Sequence, residues 1–241
     1  MAQSNGPWTS FAGMDPANLE AFKAKLRQTL QPEVRPGWEA QQLACPPGRP
    51  QDLPERIQSA RRAGVVCMMW WDSDRAWVVA FMRRTQDGTA HSGQWAFPGG
   101  AEEAADDGDL ERTARRECME EIGVQLTDHD IVGALSPLYI PPSHFYVEPL
   151  VAVVNGPPTF VLEHDEVEEV VAVPLSALPA RGQTWPTHIV PIHGGKASVP
   201  GWPMHDGVLW GASAMMTAEL QEVCAQAEFG RSFAASENPI A

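Results

Sequence analysis

Cysteine is scarce in this chain. Cys45, Cys67, Cys118 and Cys224 stand singly, without the short paired spacing of a zinc site and without the density of a disulfide framework. No apolar run is long enough to cross a bilayer, which needs about 20 residues as a helix. The opening stretch, Met1 to Gly6, lacks a basic start followed by an apolar segment, so no signal peptide is expected and the cytoplasm is the expected location. Positive charge is short as well: 17 Lys and Arg face 31 Asp and Glu, for a net charge of −14. Such a balance repels nucleic acid and anionic membranes, and both are excluded as expected partners. A protein this acidic needs metal ions to bridge it to a phosphate-bearing substrate.

What is present suffices for a substantial core: 44% of 241 residues are hydrophobic. That length suits one enlarged domain. The expected organisation is a tail over 1–14, a single domain over 15–230 with a helix near each end, and a second tail over 231–241.

The informative stretch runs from Gly99 to Val124. A glycine pair follows a short apolar strand, Trp95 to Pro98; then come a loop crowded with carboxylates, a helix, and Gly123 as its stop. Asp109 is the expected N-cap. At about 100° per residue, Leu110, Ala114, Cys118 and Ile122 form one apolar stripe. Glu121 falls inside that stripe and Glu117 borders it, with Glu120 further round on the same side as Glu117. Desolvated carboxylates are costly unless cations hold them. Arg116, at i,i+4 to Glu120, cannot neutralise three acids. Oxygen ligands at i, i+3 and i+4 suit a hard divalent cation, Mg²⁺ or Mn²⁺. Taken alone, Glu-x-x-Glu-Glu occurs in many solvated helices; the glycine pair, the intervening acids, Arg116 and Gly123 make it specific.

The stretch resembles the Nudix box, whose pattern is G-x5-E-x7-R-E-U-x-E-E-x-G-U with U aliphatic. Arg116 to Val124 matches the second half, with Cys118 in the first U place. The first half is two residues longer than the pattern. Counting back from Arg116, the expected glutamate place falls on Gly108, with Asp106, Asp107 and Asp109 nearby. A lengthened loop of this kind resembles the coenzyme A pyrophosphatase branch. So do Pro36 to Gln41, the approach from His91 to Gly100, and the run Leu135 to Pro149. The likeness covers about 36–215.

Coarse periodicity places a helix from Asp15 to Leu30, strands over 64–71 and 76–82 about an Asp72-Ser73-Asp74 turn, strands over 131–138, 145–154 and 170–173, and a last helix over 214–227 with Ser213 as N-cap. Residues 31–54 read as a proline-rich linker. His193-Gly194-Gly195-Lys196 lacks the spacing of a phosphate-binding loop and reads as a hairpin turn.

The resemblance implies an α/β protein, a Nudix-type α/β/α sandwich with a mixed β-sheet. It implies Mg²⁺ or Mn²⁺ on Glu117, Glu120 and Glu121 with the Gly100 carbonyl, and Arg116 orienting the acids. Glu166 or Glu120 would be the base, with Glu168 and Glu169 as competitors for the late-glutamate place. Arg84, Ser143 and His144 are the expected substrate contacts. The implied substrate is a small-molecule nucleotide diphosphate, first coenzyme A or its thioesters, split to 3′,5′-ADP and 4′-phosphopantetheine. ADP-ribose, dinucleotides or dinucleoside polyphosphates are the alternative within enzymes, and a non-hydrolysing nucleotide sensor the alternative outside them. A homodimer is left open.

Overall fold

In a computed structural model, residues 16–49, 54–72, 76–86, 88, 91–192 and 194–229 are described; the two expected tails, most of the turn after Asp72 and His193 lie outside them. Two long strands carry the architecture. β1 (Arg61–Trp71) and β2 (Trp77–Arg84) alternate in facing, yet both of their faces are apolar. Val66, Met68 and Trp70 of β1, with Val78, Ala80 and Met82 of β2, turn to one core; Cys67, Met69, Trp77, Val79 and Phe81 turn to the other. A sheet buried on both sides must be covered by helices on both sides.

The first core is closed by α4 (Leu110–Ile122), through Ala114, Cys118 and Ile122. The second is closed by α1 (Pro16–Thr29) and α5 (Gly211–Phe229), through Leu19, Phe22, Leu26, Met215, Leu220 and Cys224. The chain is therefore an α/β/α sandwich. Its sheet is mixed, because β1 pairs in parallel with β7 (Phe145–Val153) while its other neighbours are antiparallel.

The main path runs β3-β2-β1-β7-β5, with β3 at Trp95–Ala96 and β5 at Ile131–Ala134. Three more strands attach to it: β4 (Gly99–Ala101) on β1, β6 (Leu138–Ile140) on β7, and β8 (Val167–Pro174) on β2. Thus β1 pairs with β2 at its far end, Met69 to Trp71, and with β4 at its near end, Ala63 to Val65. The β4 backbone is thereby laid beside the helix that follows it.

How closely α4 approaches the sheet is set at Gly64. A Cβ there would stand 2.3 Å from the Leu110 carbonyl and 3.0 Å from the Ala114 amide, so only glycine lets the helix seat. The helix is capped as expected. Asp109 accepts from the Glu111 and Arg112 amides, and Gly123 takes the left-handed conformation at φ 71°.

Several elements differ from the sequence reading. The strand expected over 131–138 breaks into β5 and β6, and around that break the Ser136 amide donates to Glu219 of α5. The expected linker contains a short helix, α2 (Trp38–Gln41), and runs into another, α3 (Pro54–Gln58); α2 is bolted down by Gln41 and the Gly37 amide donating to the same Glu219. Periodicity could not show this, because the anchor is a buried carboxylate far along the chain. Helix α5 begins at Gly211, so Ser213 is inside it rather than at its cap. The hairpin expected near Gly194 joins β9 (Thr187–Ile192) to β10 (Gly195–Pro203), which with β11 (Val208–Trp210) forms a separate antiparallel sheet. No helix among the described residues is long and apolar enough to cross a membrane.

Candidate active site

The sequence places Glu121 on the apolar stripe of α4, and there it is, 1% exposed. One carboxylate oxygen accepts from the Gly99 amide at 2.7 Å, and the other meets Arg84 at 3.4 Å. Burial pushes its carboxyl up to about 8, although the Gly99 hydrogen bond and the Arg84 charge act the other way. Burial also raises the Glu117 carboxyl, against the opposing pull of Arg116. Glu120, one turn on from Arg116, is mostly exposed and meets that guanidinium at 2.8 Å.

Gly100 brings backbone and acid together. A Cβ at Gly100 would lie 2.6 Å from the Glu117 carboxyl, so the absence of a side chain there keeps the β4 backbone against that carboxylate.

Arg116 is the hub. Its Nε and Nη2 donate to Asp106, its Nη1 to Glu117 and Glu120, and its Nη2 also to the Ala101 carbonyl. Asp106 is 3% exposed and receives Thr113 Oγ1 and the Glu103 amide besides the arginine. The Arg116 hydrogen bonds, with those two, hold its carboxyl down at about 2.

Asp106 therefore fills the acidic place that counting back from Arg116 put on Gly108. Counting forward from Gly100 across five residues reaches Asp106 directly. The two additional residues lie beyond it, as Asp107 and Gly108. Both are left-handed, at φ 56° and 78°, and so fold out as a tight bulge before the Asp109 cap.

Gly100, Arg116, Glu117, Glu120 and Glu121 line a cavity of about 270 Å³ together with Arg84, Glu163 and Glu166. Glu166 sits immediately before β8 in a turn whose amides at 166 and 167 both donate to the Glu163 carbonyl. Its two competitors are drawn elsewhere: Glu168 and Glu169 pair with Arg83, which also meets Asp206. Glu163 and Glu103, to which the sequence reading gives no role, both line the cavity. Ser143 and His144 do not line it. His144 is fixed instead between the Tyr139 hydroxyl at 2.8 Å and the Ser59 carbonyl at 2.9 Å.

The acidic side chains lining the cavity are all carboxylates, whose oxygens suit a hard divalent cation and not a soft one. Among the described residues no three acids yet converge in ligating geometry. Arg116 is holding Glu117 and Glu120, while the Gly99 amide holds Glu121. Glu121, buried, and Glu117, half-buried, at the edge of a core with the glycine gap beside Glu117, fit a cation in that place.

The NUDIX domain family matches residues 60–192, more than half of the chain. This chain belongs to the Nudix family. It is 34% identical over 125 residues to the peroxisomal coenzyme A diphosphatase ndx-8 of Caenorhabditis elegans, covering 52% of this chain and 53% of that protein. It is 33% identical over 131 residues to the human mitochondrial coenzyme A diphosphatase NUDT8, covering 53% and 54%. The Nudix chain thus aligns over about half the length of these relatives. The crystal structure of a MutT/nudix family protein from Enterococcus faecalis superposes with a TM-score of 0.50 at 18% identity, covering 70% of this chain and 63% of that one, a likeness of fold.

Proposed function

We propose that this Nudix chain hydrolyses the diphosphate linkage of coenzyme A or its thioesters in a divalent-metal-dependent reaction, giving 3′,5′-ADP and the 4′-phosphopantetheine product. The observation that carries the reading is the pair Glu117 and Glu121, desolvated beside Gly100 in a cavity walled by further carboxylates. The named activity of the two relatives selects coenzyme A from the diphosphates such a cavity would take.

Mg²⁺ or Mn²⁺ held by Glu117, Glu120, Glu121 and the Gly100 carbonyl would supply the positive charge that the diphosphate needs and acidify the attacking water. Arg116 keeps Glu117 and Glu120 in place, and Asp106 with Thr113 keeps Arg116 in place. Arg84, already facing the cavity from the end of β2, is positioned for a phosphate oxygen.

Glu166 is the base in this reading, in preference to Glu120. Glu120 is tied to Arg116, whereas the Glu166 carboxylate has no ion-pair partner among the described residues. The water oxygen bonds to phosphorus, the bridging P–O bond breaks, and the water's proton passes to Glu166. Ser143 and His144 have no direct contact with the diphosphate in this arrangement; through Tyr139 and Ser59, His144 braces the turn leading into β7. The cytoplasm remains the expected place of action for this chain.

Chromatography of coenzyme A incubated with the purified protein tests the reading. Release of 3′,5′-ADP and 4′-phosphopantetheine with Mg²⁺ and not with EDTA is expected. Intact coenzyme A alongside cleaved ADP-ribose or dinucleotides would move the substrate, and nucleotide binding with no product from any of them would make the protein a sensor.

A further inference from the structure

A second cavity, about 330 Å³, adjoins the acidic one and shares Ala101 and Glu103 with it. Its other walls are Arg61, Arg62, Glu102, Ala104 and Gly108. One of the two additional loop residues, Gly108, is therefore part of this wall, and its carbonyl accepts from Arg62 at 3.1 Å. The bulge that lengthens the loop builds a neighbour to the candidate active site.

The charges here are unlike those next door. Arg62 is balanced by Glu102 at 3.3 Å. Arg61 meets no carboxylate among the described residues; its guanidinium lies over the Phe145 ring at 4.3 Å from the centroid. That stacking is built into the sheet, since Arg61 and Phe145 are register partners of β1 and β7. An aromatic backing holds the guanidinium in one plane while leaving its N–H edge for a ligand. By contrast, the guanidinium of Arg116 is consumed by three carboxylates and a carbonyl, and Arg84 faces Glu121. In a chain of net charge −14, a cation without an acid beside a phosphate-handling cavity is a place for a second anionic group.

We propose that Arg61, with Arg62, forms a subsite for a terminal phosphate monoester on the nucleoside half of the substrate, so that the diphosphate sits among the acids and the monoester in the adjoining cavity. The proposal rests on the coenzyme A reading, which supplies such a group as the 3′-phosphate of its adenosine. A planar guanidinium matches two oxygens of a phosphate monoester, and Glu102 releasing Arg62 would add a second donor. Arg61 is then a specificity residue that distinguishes nucleotides by their ribose phosphate and takes no part in bond breaking.

Titration calorimetry with 3′,5′-ADP and with AMP, in excess Mg²⁺, tests this without turnover. Wild-type protein is expected to bind 3′,5′-ADP at least tenfold more tightly than AMP. In Arg61→Ala the two affinities should converge to within about twofold, and Arg61→Lys should recover part of the difference. Equal affinities in the wild type, or an equal loss for both ligands in Arg61→Ala, would overturn the subsite; the second result would place Arg61 on the diphosphate instead. A preference that survives Arg61→Ala unchanged also overturns it. If coenzyme A proves not to be hydrolysed but the preference and its loss are observed, the subsite stands and the reaction assignment falls.

Discussion

At the scale of single residues, the site depends on where carboxylates are forced to be. Glu121 is buried except where it borders the cavity, so removing its charge alters what the cavity can hold more than how the core packs. Glu121→Gln is expected to lower metal-dependent turnover of coenzyme A at least a hundredfold while leaving the melting temperature unchanged or higher, because the cost of burying an ionisable group is removed and the shape is kept. Retained turnover in the purified variant would remove Glu121 from the site. Gly100→Ala acts on geometry instead. Its Cβ would meet the far end of the Glu117 side chain and not backbone, so the fold survives but the carboxylate is displaced. A loss of about 10–100-fold in kcat is expected from a displacement of this order, with thermal unfolding close to wild type.

Asp106 makes a different kind of prediction. Its carboxyl, ordinarily at 3.8, is held at about 2 in the folded chain by Arg116, Thr113 and the Glu103 amide. The folded state therefore surrenders this proton more readily than the unfolded chain. The stability contributed is complete above the unfolded value and is lost as pH falls through 3.8 toward 2. In acid denaturation followed by circular dichroism, Asp106→Asn should be less stable than wild type at pH 6 by about 1–3 kcal/mol, the cost of weakening a buried, charged hydrogen-bond set. The gap should narrow below pH 3. A gap that stays constant across that range would mean the clamp is not electrostatic.

At the scale of elements, helix α4 serves two surfaces at once, and its sequence shows both. Leu110, Ala114, Cys118 and Ile122 seat it on the sheet, while Glu117 and Glu121 follow the same side into the cavity. The N-cap, the stop at Gly123 and the inward acids were legible because each is a local property of one helix. The partner of Arg116 was not. It lies before a bulge of two left-handed residues, and a count running back through that bulge lands on Gly108 although a forward count from Gly100 lands on Asp106. The gathering of Arg84 and Glu166 in one cavity is a consequence of β8 pairing along β2, with Thr85 donating to the Glu166 carbonyl; no local pattern encodes that. Nor could periodicity show that Glu219 anchors α2.

The seating of α4 is itself testable at Gly64. An added methyl would meet helix backbone, which cannot rotate away, so the helix must lift. Gly64→Ala is expected to cost about 1–3 kcal/mol in denaturant unfolding and, because the acids ride on the lifted helix, to depress kcat as well. A variant less stable but fully active would show that the cavity tolerates movement of its helix.

At the scale of the whole molecule, the problem is charge. A chain with 14 more acids than bases proposed to bind a polyanion gathers Glu103, Glu117, Glu120, Glu121, Glu163 and Glu166 around one cavity, with Arg116 already committed. Folding without cations buries Glu121 and half-buries Glu117 beside like charges, and the Glu117 and Glu121 carboxyls are raised, chiefly by that burial and to a lesser degree by repulsion from their acidic neighbours. A divalent cation that binds only the folded state must then stabilise the whole molecule, by about 2.7 kcal/mol at a concentration of 100 times its Kd. Thermal melts in EDTA, Mg²⁺ and Mn²⁺ should rise with either cation by several degrees, and Ca²⁺ gives a size control. In the double variant Glu117→Gln, Glu121→Gln, whose side chains keep their volume but lose their charge, the cation-dependent rise should vanish. The baseline in EDTA should at the same time move upward, since the cost of burying the acids and their repulsion are both gone. Opposite signs for the two shifts separate a metal site from general screening of surface charge, which would raise both proteins alike. A rise of equal size in wild type and variant would take the metal away from these two acids, and with it the chemical basis for splitting a diphosphate here.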